Sequence, residues 1–207
     1  MYLESDELII GADECGLGSI AGPLVVCAAA CVKAKMRAIV CEDSKQYDGN
    51  YAKMQKAIAA SEYLCYKVIE VCADDLCRWG YPASLSYAYR LAVESVRYAL
   101  RPHYPHAIID GVNDQGVRFS KTYIKADKNW PIVSLASCLG KCSQLRTMYA
   151  LHARFPEYHF NTSAGYGTSK HVDAIRVHGM LPHIHRIPII AKMNGMHDTK
   201  TRKDTDA

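Results

Sequence analysis

Two rhythms of apolar and polar residues alternate along the chain. Residues 7–13 and 22–32 are apolar runs joined by a loop with glycines at 16, 18 and 22, a pattern that predicts a pair of strands. The polar stretch Glu42-Asp43-Ser44-Lys45-Gln46 leads into a helical segment, Tyr51 to Ala60, and Tyr63 to Ile69 reads as a strand. Pro82 opens a long amphipathic helix with Leu85, Ala88, Leu91, Ala92, Val96 and Ala99 at helical spacing. His106 to Gly111 and Val117 to Ile124 read as further strands, the second running into Lys125-Ala126-Asp127-Lys128. From Pro131 to about Arg154 the pattern is helical, with Leu135, Leu139, Cys142, Leu145 and Met148 on one face. Asn161 to Thr168 is a polar, glycine-containing loop, and Thr168 is placed to cap a helix ending near Gly179. Strands clustered early and then alternating with helices predict an α/β domain with a mixed central sheet flanked by helices and a small C-terminal helical part. It spans residues 1–190, and the polar, charged residues 191–207 form a tail expected to be disordered. No internal repeat or low-complexity tract interrupts this order.

Composition narrows the picture. At 207 residues, 49% hydrophobic and 22% charged, the chain fits one soluble domain with a substantial core. Its net charge of +4 is mildly basic, so only the placement of that charge argues for nucleic acid. The longest apolar run, Leu24 to Val32, suits a strand and falls short of the ~20 residues of a spanning helix. The acidic N-terminus lacks the apolar stretch of a secretory signal. Nine cysteines form an odd set with no CxxC pair, and several sit in apolar segments. They read as small core residues in a reducing compartment, so a cytoplasmic location is expected and a zinc site is not.

Chemistry concentrates at three places where an acid falls at or just beyond a predicted strand end: Asp13-Glu14, Asp110 and Asp127. Taken alone, the first reads more simply as a surface hairpin with an acidic turn. Three in one fold point to convergence, because neighbouring strand ends can meet. Four clustered carboxylates repel unless cations neutralise them. Their oxygens suit two Mg²⁺ or Mn²⁺ ions of the kind that promote phosphodiester cleavage. Candidate phosphate contacts are Lys45, Lys125, Lys128, Lys141, Arg146 and Arg186. Tyr166, between Gly165 and Gly167, is placed either to pack or to stack on a base or sugar. His183 and His185 are poor ligands for hard ions, and a surface or phosphate-facing role is expected of both.

From Leu8 to Arg186 the chain resembles the ribonuclease HII family, the type 2 ribonucleases H. Gly11-Ala12-Asp13-Glu14-Cys15-Gly16-Leu17-Gly18 is similar to the family's G-x-D-E-x-G-R-G. Asp43-Ser44-Lys45, Ile109-Asp110-Gly111 and Lys125-Ala126-Asp127 match D-S-K, I-D-G and K-G/A-D. Ala136-Ser137-Cys138-Leu139-Gly140-Lys141 is similar to A-S-I-L-A-K, and Ala164-Gly165-Tyr166-Gly167-Thr168 and Ile184-His185-Arg186 match the closing motifs. The resemblance implies an RNase H-like fold and a two-metal endonuclease with Asp13, Glu14, Asp110 and Asp127 as catalytic carboxylates and metal ligands. It implies substrate contacts from Gly16, Leu17, Gly18, Lys45, Lys141, Tyr166 and Arg186. The implied substrates are RNA–DNA hybrids and duplex DNA containing single ribonucleotides, cut on the 5′ side of the ribonucleotide as in the removal of misincorporated ribonucleotides. A monomer is expected, and no clamp or polymerase partner is assigned. The chain departs from the pattern at Leu17, where the family has arginine, at Gln46 in place of a second lysine, and at Leu145 in place of an acid. These departures bear on phosphate binding and leave the carboxylates intact. Two other readings fit them: a hybrid-binding protein with weakened cleavage, and another metal-dependent nuclease of the same fold acting on DNA.

Overall fold

The computed structural model describes residues 7–47 and 50–187; the predicted tail lies outside the described residues. Five strands form one mixed sheet in the order β3-β2-β1-β4-β5. These are β1 (Leu8–Cys15), β2 (Leu24–Val32), β3 (Cys65–Val71), β4 (Ala107–Asp110) and β5 (Ser120–Tyr123). Neighbours β1–β2 and β2–β3 run antiparallel, whereas β1–β4 and β4–β5 run parallel. The helices are α1 (Tyr51–Ala60), α2 (Ala73–Trp79), α3 (Tyr81–Ala99), α4 (Ala126–Asn129), α5 (Pro131–Arg154), α6 (Phe160–Ser163) and α7 (Ser169–His178).

Side chains alternate across a strand, so each strand feeds two layers. Ile9 of β1, Cys27, Ala29 and Cys31 of β2 and Ile108 of β4 pack with α5. Ile10 and Ala12 of β1, Val26, Ala28 and Ala30 of β2 and Ile109 of β4 pack with α3. The helix–sheet approach is tightest at Gly11, where a Cβ would lie 2.6 Å from the backbone carbonyl carbon of Ile132. A third, smaller cluster of Ala21, Met148, Tyr158, Phe160 and Ala174 seats α6 and α7 beside the far half of α5.

The predicted spans of α1 and α5 coincide with the observed ones, and Pro82 stands in the first turn of α3. Strand β5 is shorter than Val117–Ile124. Helix α2 is not among the predicted elements, although Asp74 and Asp75 in its first turn, Arg78 in its last and Gly80 after it are helix-end signals; it buries Ala73 and Leu76. The one-face pattern expected for α5 is corrected: every residue from Ile132 to Gly140 is buried, because the sheet covers one side and α1, α4 and residues 44–47 the other. The loop expected at 161–168 begins instead as the single turn α6. Thr168 precedes α7, but its side chain makes no capping bond; its carbonyl accepts from Val172 N–H. Of the cysteines, all free, Cys27, Cys31, Cys41 and Cys138 are core residues, whereas Cys72 and Cys77 are exposed. Among the described residues no helix is long and apolar enough to cross a membrane.

Candidate active site

The strand alternation that divides the core also separates the two adjacent acids of β1. Asp13 turns with Ile9 toward α5, where the Ser137 hydroxyl reaches it; Glu14 turns with Ile10 toward α3, where the buried Tyr89 hydroxyl donates to its Oε2. Parallel pairing sets Ala12 beside Ile109, and one step further along this register places Asp110 next to Asp13. Asp110 Oδ1 accepts the Ala126 N–H at 2.6 Å, which fixes the start of α4 and with it Asp127. Lys125, just before α4, adopts a left-handed conformation (φ 57°) that turns the chain out of β5 and back over the sheet end.

A cleft of about 270 Å³ opens at this end of the sheet. Asp13, Glu14, Asp110 and Asp127 line it together with Cys15, Gly16, Leu17, Gly18, Ser44, Lys45, Ser137, Lys141 and Tyr166. A larger, shallower hollow of about 540 Å³ lies against β5 and contains none of these groups.

Electrostatics mark the cleft as a place short of positive charge. Burial first, and then the charge of Glu14, push the Asp13 carboxyl up to about 8. Burial also raises Glu14, although the Tyr89 hydroxyl draws it back down, and Asp110 adds to the rise. Asp127 is raised by burial, then by Asp43 and Asp110, with Lys45 and Lys128 opposing. Each of these carboxylates is thus held partly by the repulsion of another, a repulsion that divalent cations would relieve. All four offer hard oxygen donors, which suits Mg²⁺ or Mn²⁺. As the side chains stand, no three His, Cys, Asp or Glu among the described residues are arranged around a common ion position. Asp13 Oδ1 accepts Glu14 N–H at 2.8 Å, Glu14 Oε2 accepts from the Tyr89 hydroxyl, and Asp110 Oδ1 accepts from Ala126 N–H. Each carboxylate has a second oxygen besides. On donor chemistry the residues fit the ions.

Above the acids stands a rim of loops. The glycine loop is bound from below by Arg186, whose Nε donates to Gly22 O at 2.9 Å and whose Nη1 donates to Gly16 O at 2.6 Å and to the Tyr81 hydroxyl at 3.1 Å. A trans peptide sets each carbonyl opposite the next N–H. With Gly16 C=O aimed at Arg186, the N–H of Leu17 points the opposite way, and Leu17 itself lines the cleft. Residues 184–186 strap the same loop: Gly22 N–H donates to Ile184 O and Arg186 N–H to Ile20 O. Gly165 accepts from Ile20 and Ala21 N–H; its φ of 85° and its contact with the Ala21 carbonyl exclude any side chain there. Lys141 Nζ sits 5.4 Å from the centroid of the Tyr166 ring, and burial lowers its pKa.

Several residues stand elsewhere than the sequence predicted. Arg186, expected to touch substrate, is 1% exposed; its Nε and Nη1 bond the glycine loop from behind, and its Nη2 is buried without a hydrogen-bond partner. Lys125, Lys128 and Arg146 do not line the cleft. His185 is buried, not phosphate-facing: Leu181 N–H donates to its Nδ1, and its Nε2 lies 3.1 Å from His171 Nε2. His171 Nδ1 in turn meets Tyr166 O at 2.8 Å. Only one assignment of protons satisfies this row: both rings neutral, with His185 donating to His171 and His171 to Tyr166. His183 is exposed and pairs with Asp74 at 2.6 Å. Tyr89, Gln144 and His171 were invisible as site residues, since each acts through a partner distant in sequence.

Comparison with known proteins agrees with this architecture. The family model for ribonuclease HII matches residues 10–75 and 92–194. A ribonuclease HII of Burkholderia lata is 33% identical over 179 residues, covering 86% of this chain and 81% of its own. Among solved structures, ribonuclease H2 of Pyrococcus horikoshii OT3 superposes with a TM-score of 0.68 at 20% identity, covering 87% of this chain and 93% of its own. Bst-RNase HIII in complex with Mn²⁺ superposes with a TM-score of 0.62 at 20% identity, covering 90% and 68%. With its mixed sheet, acid-lined cleft and matching family model, the chain belongs to the ribonuclease HII family of hydrolases.

Proposed function

We propose that the chain is an endonuclease that hydrolyses the RNA strand of RNA–DNA hybrids and cuts on the 5′ side of single ribonucleotides in duplex DNA, leaving 3′-hydroxyl and 5′-phosphate ends. The observation that carries this reading is the meeting, in one cleft, of carboxylates from three separate stretches of chain whose charges repel one another. Asp13, Glu14, Asp110 and Asp127 would hold two Mg²⁺ or Mn²⁺ ions, which supply water activation and stabilisation of the departing oxygen when bound. The protein's own groups do the rest. Lys45 and Lys141 face the cleft and are placed to bind backbone phosphate. The Leu17 N–H, on the far side of the peptide whose carbonyl Arg186 holds, and Tyr166, which lines the same cleft, would bind the ribose 2′-hydroxyl and the sugar that follows it. That hydroxyl is what distinguishes RNA from DNA at a single position. Leu17 itself is 42% exposed in the rim and brings no charge to the contact.

A labelled DNA duplex with one embedded ribonucleotide, incubated with Mg²⁺ or Mn²⁺, tests the reading. Nicking at the 5′ side of the ribonucleotide, dependent on the ion, is the expected result. Binding without nicking would mark a hybrid-binding protein, and cutting of all-DNA substrates would mark a different nuclease of this fold; either overturns the proposal.

A further inference from the structure

Gln144 lies in the middle of α5, fully buried, and its amide is the one point where three parts of the rim meet. Its Oε1 accepts Lys141 Nζ at 2.8 Å. Its Nε2 donates to Ser19 Oγ at 3.3 Å and lies 3.5 Å from Ala164 O, immediately before the loop that carries Tyr166. The Ser19 hydroxyl is also within hydrogen-bonding reach of the Tyr166 phenol. Gly16 packs flat on the same amide: a Cβ there would fall 2.7 Å from Nε2. Both faces of Gln144 are thus committed to elements that line the cleft.

We infer that Gln144 is a positioning residue that sets discrimination for the ribonucleotide, by fixing Lys141 and holding the glycine loop in register with Tyr166. The inference rests on the function proposed above. Its force comes from Leu17. With an apolar residue at the loop tip, recognition falls to backbone N–H groups and to Tyr166, whose usefulness depends on their separation. A single amide spans that separation, accepting on one side and donating on the other, and no apolar residue of the same size does both. The carboxylates touch none of these groups through Gln144, so the ion-binding floor is left alone by its replacement.

Gln144→Leu keeps the volume and removes all three bonds; Gln144→Glu keeps the acceptor for Lys141 and sets an oxygen against Ala164 O. Two readouts separate positioning from general damage. The first is kcat/KM on a duplex with one ribonucleotide relative to a uniform RNA–DNA hybrid. The second, in metal-free buffer, is the affinity ratio between the one-ribonucleotide duplex and its all-DNA counterpart. Gln144→Leu is expected to lower the first ratio about 10–100-fold, as the loss of two or three bonds requires, and to bring the second close to one. Gln144→Glu should fall in between, and Lys141→Met combined with Gln144→Leu should cost less than the product of the single effects. If Gln144→Leu does not fold, Gln144→Glu decides alone. Equal losses on both substrates, or an unchanged affinity ratio in the folded variant, overturn the inference. Failure of the unaltered chain to nick either substrate would instead overturn the function it rests on.

Discussion

The acids of the cleft hang from β1, β4 and α4, each within a few residues of a core strand, whereas the rim above them is a set of loops tied to one another by buried polar side chains. In the first region the sheet does the positioning. Pairing register and side-chain alternation carry Asp13, Glu14 and Asp110 to one place, and bonds from Tyr89 and Ala126 hold the Glu14 and Asp110 carboxylates there. In the second, position comes from Arg186 and Gln144, which bond to segments more than a hundred residues away, and from the His185–His171 row, which ties residues 184–186 to the start of α7. The floor is therefore set by strand pairing and strained by like charges, whereas the rim is set by polar contacts around a buried guanidinium.

Three experiments press on that contrast. The largest effect is expected from Asp110→Asn, which removes a carboxylate proposed above to hold an ion but keeps an oxygen for Ala126 N–H. Nicking should fall by roughly 10³-fold or more, while duplex affinity and thermal midpoint stay near those of the unaltered chain. Near-normal nicking would remove Asp110 from the chemistry.

Arg186→Met attacks the rim from behind. It leaves the buried carbonyl of Gly22 without its side-chain donor and that of Gly16 with Ser19 N–H alone, and should cost about 3 kcal/mol of stability. A thermal midpoint lowered by roughly 6–12 °C would register this, with duplex affinity falling as well. A variant of unchanged stability would return Arg186 to the role of a surface contact.

The smallest effect is a dependence on acid. Burial, and then His171, depress His185 from 6.5 to about 4. Between those values the unfolded chain takes up a proton that the folded chain refuses, so stability falls as pH drops through this window. Raised carboxylates such as Asp13 have the opposite sign, binding their proton more tightly when folded and gaining stability as pH falls. A His185→Asn variant isolates the first contribution. Between pH 7 and 4.5 the unaltered chain should lose about 2 kcal/mol more than the variant in urea denaturation. Parallel losses would show that the ring is protonated in the fold.

The same contrast explains what could be read from the residues alone. Asp13-Glu14, Asp110 and Asp127 announced themselves because each follows an apolar run or a strand end, and local pattern reports strand ends directly. The helix from Pro131 to Arg154 was legible at both ends, though not its burial on all sides, which depends on what packs against it. Arg186 and His185 read as exposed basic residues since nothing nearby in sequence hints that they fold under the glycine loop. Gln144 and Tyr89 resemble any polar residue of a helix until the partner across the core is known. Local chemistry is written locally; hydrogen-bond partners are a property of the finished fold.

The strap of residues 184–186 across residues 20–22 has one more consequence, for the order in which the molecule becomes competent. A ribosome delivers β1 and its acid pair near the start of synthesis, yet Gly22 finds its acceptor at Ile184 only some 160 residues later. A nascent or shortened chain therefore carries Asp13 and Glu14 long before the loop of residues 16–22 is strapped in place.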